Sequence, residues 1–362
     1  MENLSSTIRM TAREVSWLAL IALLGVAFLL FKADKNLLDY NSDYVGFVDT
    51  AMLFSAEGEM PVDPNPARIL KPLAPALIAL GAPVVGFEDA FLWHVALAYI
   101  ALVFVTYLFF KLFFNGNVIQ ALVGTVFFSL SYPMLRYGLD LYSETGALLF
   151  YVAGLLGVLM FLRKPSYETL LLNVVIAIFG FLWKEYSAVH CVIFNLIIMV
   201  WPTEHISISK KLRFLLLFNG LWILAEGLWQ LAVWNDYGYT YLDWYAGGGA
   251  PYFAHEGRLF MLMKSTFALL MLGWLFVPFS WRTIRDLSRE QKLTFALIAI
   301  VPVMVLGWGA ISSRLFYVMT PALIVASVWG IWSLSPRALV RYSLVTLVVM
   351  SHIVWTTIQY LP

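Results

Sequence analysis

Charged side chains are scarce in this sequence: Asp, Glu, Lys and Arg make up 12% of its 362 residues, about half the share of a soluble domain. Cysteine is almost missing. The single Cys191 excludes an intramolecular disulfide and any multi-cysteine zinc or iron–sulfur site. Acids and bases nearly cancel, at a net charge of +1, and no basic block or tail is present. That excludes the electrostatic footprint of nucleic-acid binding. Tandem repeats, low-complexity tracts and a separate soluble domain are also absent.

What is abundant is apolar. Hydrophobic residues account for 61% of the chain and the mean hydropathy is +0.81. Apolar runs near twenty residues recur along the whole length, each able to cross a hydrocarbon core of about 30 Å. Runs this long in a bilayer are helices, because every backbone polar group must be satisfied within the segment. The reading is an all-α polytopic membrane protein, one transmembrane domain over 1–362, with about 11 spans: 15–31, 89–113, 118–135, 143–162, 167–183, 186–201, 212–233, 259–279, 293–311, 315–334 and 341–359. The first run follows Arg9 and Arg13 but continues into Phe31-Lys32-Ala33-Asp34 with no small-residue cleavage site, so it reads as an uncleaved first span.

Lys and Arg positions set the orientation. With the N-terminus in the cytoplasm, 14 of the 23 basic residues fall on the cytoplasmic side, including the clusters Lys210-Lys211-Leu212-Arg213 and Trp281–Lys292. Two outer loops exceed ordinary connector length. In the first, 32–88, Tyr44, Phe47, Val48, Ala51, Met52 and Phe54 have helical spacing, which predicts an amphipathic helix at the membrane interface. Pro61, Pro64 and Pro66 break it, and 67–83 forms a second, proline-interrupted amphipathic piece. The second loop, 234–258, is rich in aromatics and contains Gly247-Gly248-Gly249. No Lys-Ser/Thr follows those glycines, so they read as a hinge rather than a phosphate loop. The loop's aromatics suit either sugar stacking or an interfacial belt.

In so uncharged a chain, ionisable residues at the edge of the spans mark a functional pathway. The outer face gathers Asp39, Asp43, Asp49, Arg68, Lys71, Arg136, Asp140, Glu144, Lys184, Glu185, Asp243, His255, Arg258 and Arg314. Both signs are present, as a site that deprotonates a nucleophile and neutralises a phosphate requires. The competing reading is ordinary solvated loop charge, and it is weakest for Asp140, Glu144, Lys184, Glu185 and Arg314, which border spans joined by short loops. His94 and His190 sit singly in apolar spans and read as packed polar groups.

The motif Asp43-Tyr44-x-x-Phe47-x-x-x-Ala51, then Gly58, then Arg68-x-x-x-Pro72 opening the next helix, resembles the GT-C glycosyltransferases. That superfamily includes lipid-linked-sugar mannosyltransferases and the aminoarabinose and protein O-mannosyl transferases. Asp140 to Glu144, Trp183-Lys184-Glu185 and Ser313-Arg314-Leu315-Phe316-Tyr317 fall in the corresponding places. The resemblance covers nearly the whole chain as topology through short, degenerate motifs. Many members carry two adjacent acids in the first loop, whereas Tyr44 follows Asp43 here.

The resemblance implies inverting transfer of a sugar from a polyprenyl-phosphate-linked donor to a lipid, glycan or protein acceptor. The reaction lies on the extracytoplasmic face of a plasma membrane, among membrane lipids. It places the general base in the first outer loop, at Asp43, with Asp49 as the alternative. A carboxylate near apolar surface has its pKa raised towards the useful range. The other reading of Asp43 is an N-cap of the loop helix. Arg68, Lys71, Lys184, Arg258 and Arg314 are the candidates for the donor phosphate, although Arg68 and Lys71 also suit anchoring to lipid headgroups. Lys184 could instead pair with Glu185 or Asp140. Tyr44, Asp140, Glu144, Glu185, His255 and Tyr317 are candidates for sugar or acceptor. No cofactor is implied. Asp140 and Glu144 could join a divalent ion, but no spaced third acid completes such a site. Two other classes fit the composition: a transporter or flippase of a lipid-linked or anionic substrate, and a membrane polymerase, ligase or acyltransferase. A transporter's charges usually lie near the midplane, between internal repeats.

Overall fold

The structure is a computed structural model and describes residues 8–40, 42–55, 66–202, 206–243, 258–307 and 313–360. Every regular element among them is helical. In chain order they are α1 (Ala12–Asp34), α2 (Ser42–Ser55), the single turn α3 (Pro66–Ile69), α4 (Leu73–Val85), α5 (Phe87–Phe113) and α6 (Val118–Ser129). A π turn (Met134–Gly138) leads to α7 (Glu144–Arg163), α8 (Tyr167–Trp183), α9 (Ser187–Val200), α10 (Ile208–Tyr237) and α11 (Arg258–Leu270). Then come α12 (Trp281–Asp286), α13 (Arg289–Ile300), α14 (Ser313–Phe316), α15 (Thr320–Leu334) and α16 (Ala338–Ile358), linked by 3₁₀ turns.

This is a multi-pass membrane protein, but the count of 11 spans is not reproduced. Six helices are long and apolar enough to cross alone: α1, α5, α7, α10, α16 and the stretch Arg314–Leu334. A seventh crossing would be the pair Leu259–Leu275 and Val277–Asp286, bent by 60°. The segments α6, α8 and α9 are apolar but shorter, at 12, 17 and 14 residues. Proline accounts for part of the difference. Pro278 and Pro302 lie in the 3₁₀ turns Val277–Ser280 and Val301–Gly307, where the missing N–H and the ring interrupt an α-helix.

The core is built around α5, which packs on α1, α4, α6 and α7. Phe91, Val95, Tyr99, Leu102, Tyr107 and Phe110 line its buried faces. Close approach of α7 to α8 depends on Gly146, where a Cβ would fall inside the Trp183 indole. That indole donates to the Ser143 carbonyl at 2.9 Å. The contact fixes the start of α7 against the end of α8, where Glu144 and Lys184 sit. The amphipathic helix expected in the first outer loop is α2, which buries Phe47, Val48 and Ala51 and packs against α4.

Candidate active site

Five places in the chain converge: the start of α2, the α3–α4 turn, the starts of α7 and α14, and the α8–α9 junction. Asp43, in the first turn of α2, forms an ion pair with Arg68 through Oδ1. Its Oδ2 lies 2.7 Å from Arg314 Nη1. Glu144 pairs with Lys184, and its Oε1 is 3.3 Å from Arg314 Nε. Arg314 thus joins both carboxylates. Lys71 pairs with Glu185. Four cations, Arg68, Lys71, Lys184 and Arg314, face three carboxylates, Asp43, Glu144 and Glu185.

Aromatic rings fix these cations. Arg68 lies 4.6 Å from the Phe47 ring, Arg314 4.9 Å from Tyr142 and Lys184 5.3 Å from Tyr186. Guanidinium over an aromatic face is favourable and keeps the fork oriented. Burial sets the electrostatics outside the spans. It pulls the Lys71 ammonium down to about 8, against the opposing charge of Glu185. Burial pushes the Glu185 carboxyl up, but Lys71 and Lys184 outweigh it and hold the group below its usual range. Burial likewise lowers Lys184, with Glu144 opposing. Arg68 Nε and Glu144 Oε2 are buried without a hydrogen-bond partner among the described residues.

The structure thus brings together Asp43, Arg68, Lys71, Glu144, Lys184, Glu185 and Arg314. It corrects four readings from the sequence. Asp43 is the counter-ion of two guanidiniums rather than a carboxylate near apolar surface, and it lies inside the first turn of α2 rather than capping it. Lys184 takes Glu144 as its partner, not Glu185 or Asp140. Asp140 belongs to a second cluster, because α7 begins only at Glu144 and the preceding turn points Asp140 towards α1. There it pairs with the fully buried Lys32 and with Arg136 at 3.1 Å, and it accepts from the Asp39 and Leu141 backbone N–H groups at 2.8 Å.

Tyr317 is a core residue. Its hydroxyl lies 2.6 Å from Ser131 Oγ, and its ring stacks on Phe128. Tyr44 packs edge-on against Tyr40 and Phe91. Asp49 sits on α2 and forms no ion pair among the described residues. His255 and the side chain of Arg258 lie outside the description, as do Gly58 and Gly247 to Gly249. Among the described residues no three His, Cys, Asp or Glu side chains converge as a metal site.

Two groups near these clusters were not singled out from the sequence. Lys32 directly follows the first apolar run in sequence; its complete burial follows from packing alone. Glu226 is the only acid inside α10 before its last turn, and a lone carboxylate in a span was a usable signal. Its Oε1 accepts from Gln230 at 2.9 Å, while Oε2 is buried without a partner among the described residues. Nearby, Trp229 Nε1 donates to the Ile69 carbonyl at 3.1 Å, tying α10 to the turn that carries Arg68 and Lys71.

No family model matches the chain, and no curated protein sequence does. Solved structures do. ArnT from Cupriavidus metallidurans, crystallised with undecaprenyl phosphate, matches 90% of this chain at a TM-score of 0.62 and 13% identity. The Archaeoglobus fulgidus oligosaccharyltransferase in its apo form matches 95% at a TM-score of 0.56 and 11% identity. The chain covers 61% and 55% of those two chains, less than two thirds of either. Its fold is therefore the one seen in these two membrane proteins.

Proposed function

We propose that the protein is an inverting glycosyltransferase that moves a sugar from a polyprenyl-phosphate-linked donor to a lipid, glycan or protein acceptor. The observation carrying this reading is the bridge from Asp43 to Arg68 and Arg314 inside a cluster with one more cation than carboxylate. Such a cluster suits one incoming phosphate diester. The donor's phosphate oxygens take over the guanidinium donors, and Asp43 is released towards the acceptor. The acceptor hydroxyl gives its proton to Asp43 as its oxygen bonds to the anomeric carbon from the face opposite the phosphate. The carbon–oxygen bond to phosphate breaks with its electron pair staying on the leaving oxygen. The product phosphate monoester bears more negative charge than the diester, so fixed cations stabilise the departing group more than the bound substrate. Arg68 and Arg314 supply forked donors, and Lys71 and Lys184 compact charge. With that charge supplied by the protein, the reaction proceeds without a bound divalent ion, and EDTA leaves its rate unchanged.

The site lies on the extracytoplasmic face of a plasma membrane, with the N-terminus in the cytoplasm. The distribution of Lys and Arg supports this orientation. The test uses purified protein in detergent, a labelled polyprenyl-phosphate sugar and a membrane lipid and glycan extract as acceptor. Label is expected to move to acceptor in the wild type and not in Asp43→Asn. Donor movement across proteoliposomes with no covalent transfer would instead establish a transporter.

A further inference from the structure

We propose a second binding site, for the phosphate headgroup of an anionic phospholipid, at the end of the bundle opposite the candidate active site. A cavity of about 820 Å³ opens there between the start of α1, the end of α5, the start of α6 and Tyr342 of α16. Glu14, which lines it, and Lys32, in the outer cluster, are both on α1, separated by about 27 Å at 1.5 Å per residue. The two sites therefore face opposite sides of the membrane.

The cavity's charge balance selects an anion. Its one acid, Glu14, is already satisfied: Oε1 accepts from Lys111 Nζ at 2.6 Å and from the Tyr107 hydroxyl, and Oε2 from the Thr11 N–H at 2.5 Å. Lys111 in turn donates to the Arg9 carbonyl at 2.9 Å, which holds the segment before α1 on the rim. Arg9 and Arg13 also line the cavity and form no ion pair among the described residues, so cations outnumber the one acid on its wall. The remaining walls select an amphiphile. Ile119, Leu122 and Val123 form an apolar side. Trp17 and Tyr342, 47% and 49% exposed, flank the opening as residues of a membrane–water interface do. A free phosphate would use only the arginines, whereas a phospholipid would use both walls.

The test is native mass spectrometry of the full-length protein in neutral detergent, titrated separately with phosphatidylglycerol, phosphatidylcholine and inorganic phosphate. Phosphatidylglycerol is expected to bind in preference to phosphatidylcholine. Arg9→Gln or Arg13→Gln should weaken it about fivefold each and the pair about 25-fold, from roughly 1 kcal/mol per basic residue at a lipid surface. Arg289→Gln, an exposed position outside the cavity, should change nothing. Equal retention of phosphatidylglycerol by wild type and a folded double variant would overturn the site. Displacement of the lipid by millimolar inorganic phosphate would overturn the lipid as ligand. If the double variant does not fold, salt decides on the wild type: phosphatidylglycerol binding should fall steeply with ionic strength, and salt-independent binding would overturn the proposal.

Discussion

Arg314, 271 positions along the chain from Asp43, places Nη1 2.7 Å from that residue's Oδ2. The same guanidinium reaches Glu144 Oε1 through Nε at 3.3 Å, and its plane lies over Tyr142. A late span thereby closes a cluster begun in the first loop. In the proposed function the donor phosphate and the Asp43 carboxylate would compete for one arginine fork, and the consequences of that competition can be measured.

Asp43→Asn removes the proposed base but keeps the side chain's size. Transfer is expected to fall about 10²–10⁴-fold, the usual worth of general base catalysis. Binding of a non-reactive polyprenyl phosphate should hold or tighten, since a competing anion has left Arg68 and Arg314. Turnover and ligand affinity measured on one preparation separate the two effects. Weakened binding with normal turnover would show Asp43 to be a scaffold for the arginines.

Arg314→Ala is expected to weaken polyprenyl-phosphate binding about 10- to 100-fold, from roughly 1.5–3 kcal/mol for a hydrogen bond to a charged group. Arg314→Lys should recover only part of this, because an ammonium cannot reach Asp43 and Glu144 in the same fork. Equal affinity in the alanine variant and the wild type would remove Arg314 from the phosphate site.

Lys71 gives the site a pH limit. Burial lowers its pKa to about 8, so the folded protein loses this positive charge as pH rises through 8, while an unfolded chain would keep it to about 10.4. Phosphate affinity should therefore decline above pH 8. Over the same window Lys71's own contribution to stability increases, because the unfolded state binds the extra proton. Lys71→Met should bind more weakly at pH 7 and lose the decline above pH 8. A variant with the wild-type pH profile would assign that limb to another group.

Lys32→Met tests the second cluster. Removing one member of a buried ion pair typically costs about 3–5 kcal/mol, because the remaining charge is stranded. Here Asp140 would retain Arg136, so a loss near the lower end is expected, read as a reduced unfolding temperature in detergent. Adding Asp140→Asn should restore part of it. Additive losses would mean the pair is not coupled.

Glu144 and Asp140 show how far the sequence could be read. Both stood out as acids at the edge of a span, and their four-residue spacing would put them on one helical face. Because α7 starts at Glu144, Asp140 lies in the turn before it and faces Lys32 of α1. A helix boundary thus divided one apparent pair between two clusters. Asp43, Arg68 and Arg314 were legible through local motifs. Lys32 and Glu226 were not singled out, since burial by distant helices leaves little local trace.

The sequence by itself determined the solvent of this protein. Long apolar runs with sparse charge permit only membrane helices, because unpaired backbone groups are too costly in hydrocarbon, and the asymmetry of Lys and Arg proposes their direction. Tertiary structure alone decided which segments are long enough to span unaided, and which cation meets which carboxylate. Ion pairing depends on separations of a few ångströms between residues up to 271 positions apart. Those separations are set by the packing of α2, α7, the α8–α9 junction and α14 around the core, which no local pattern encodes.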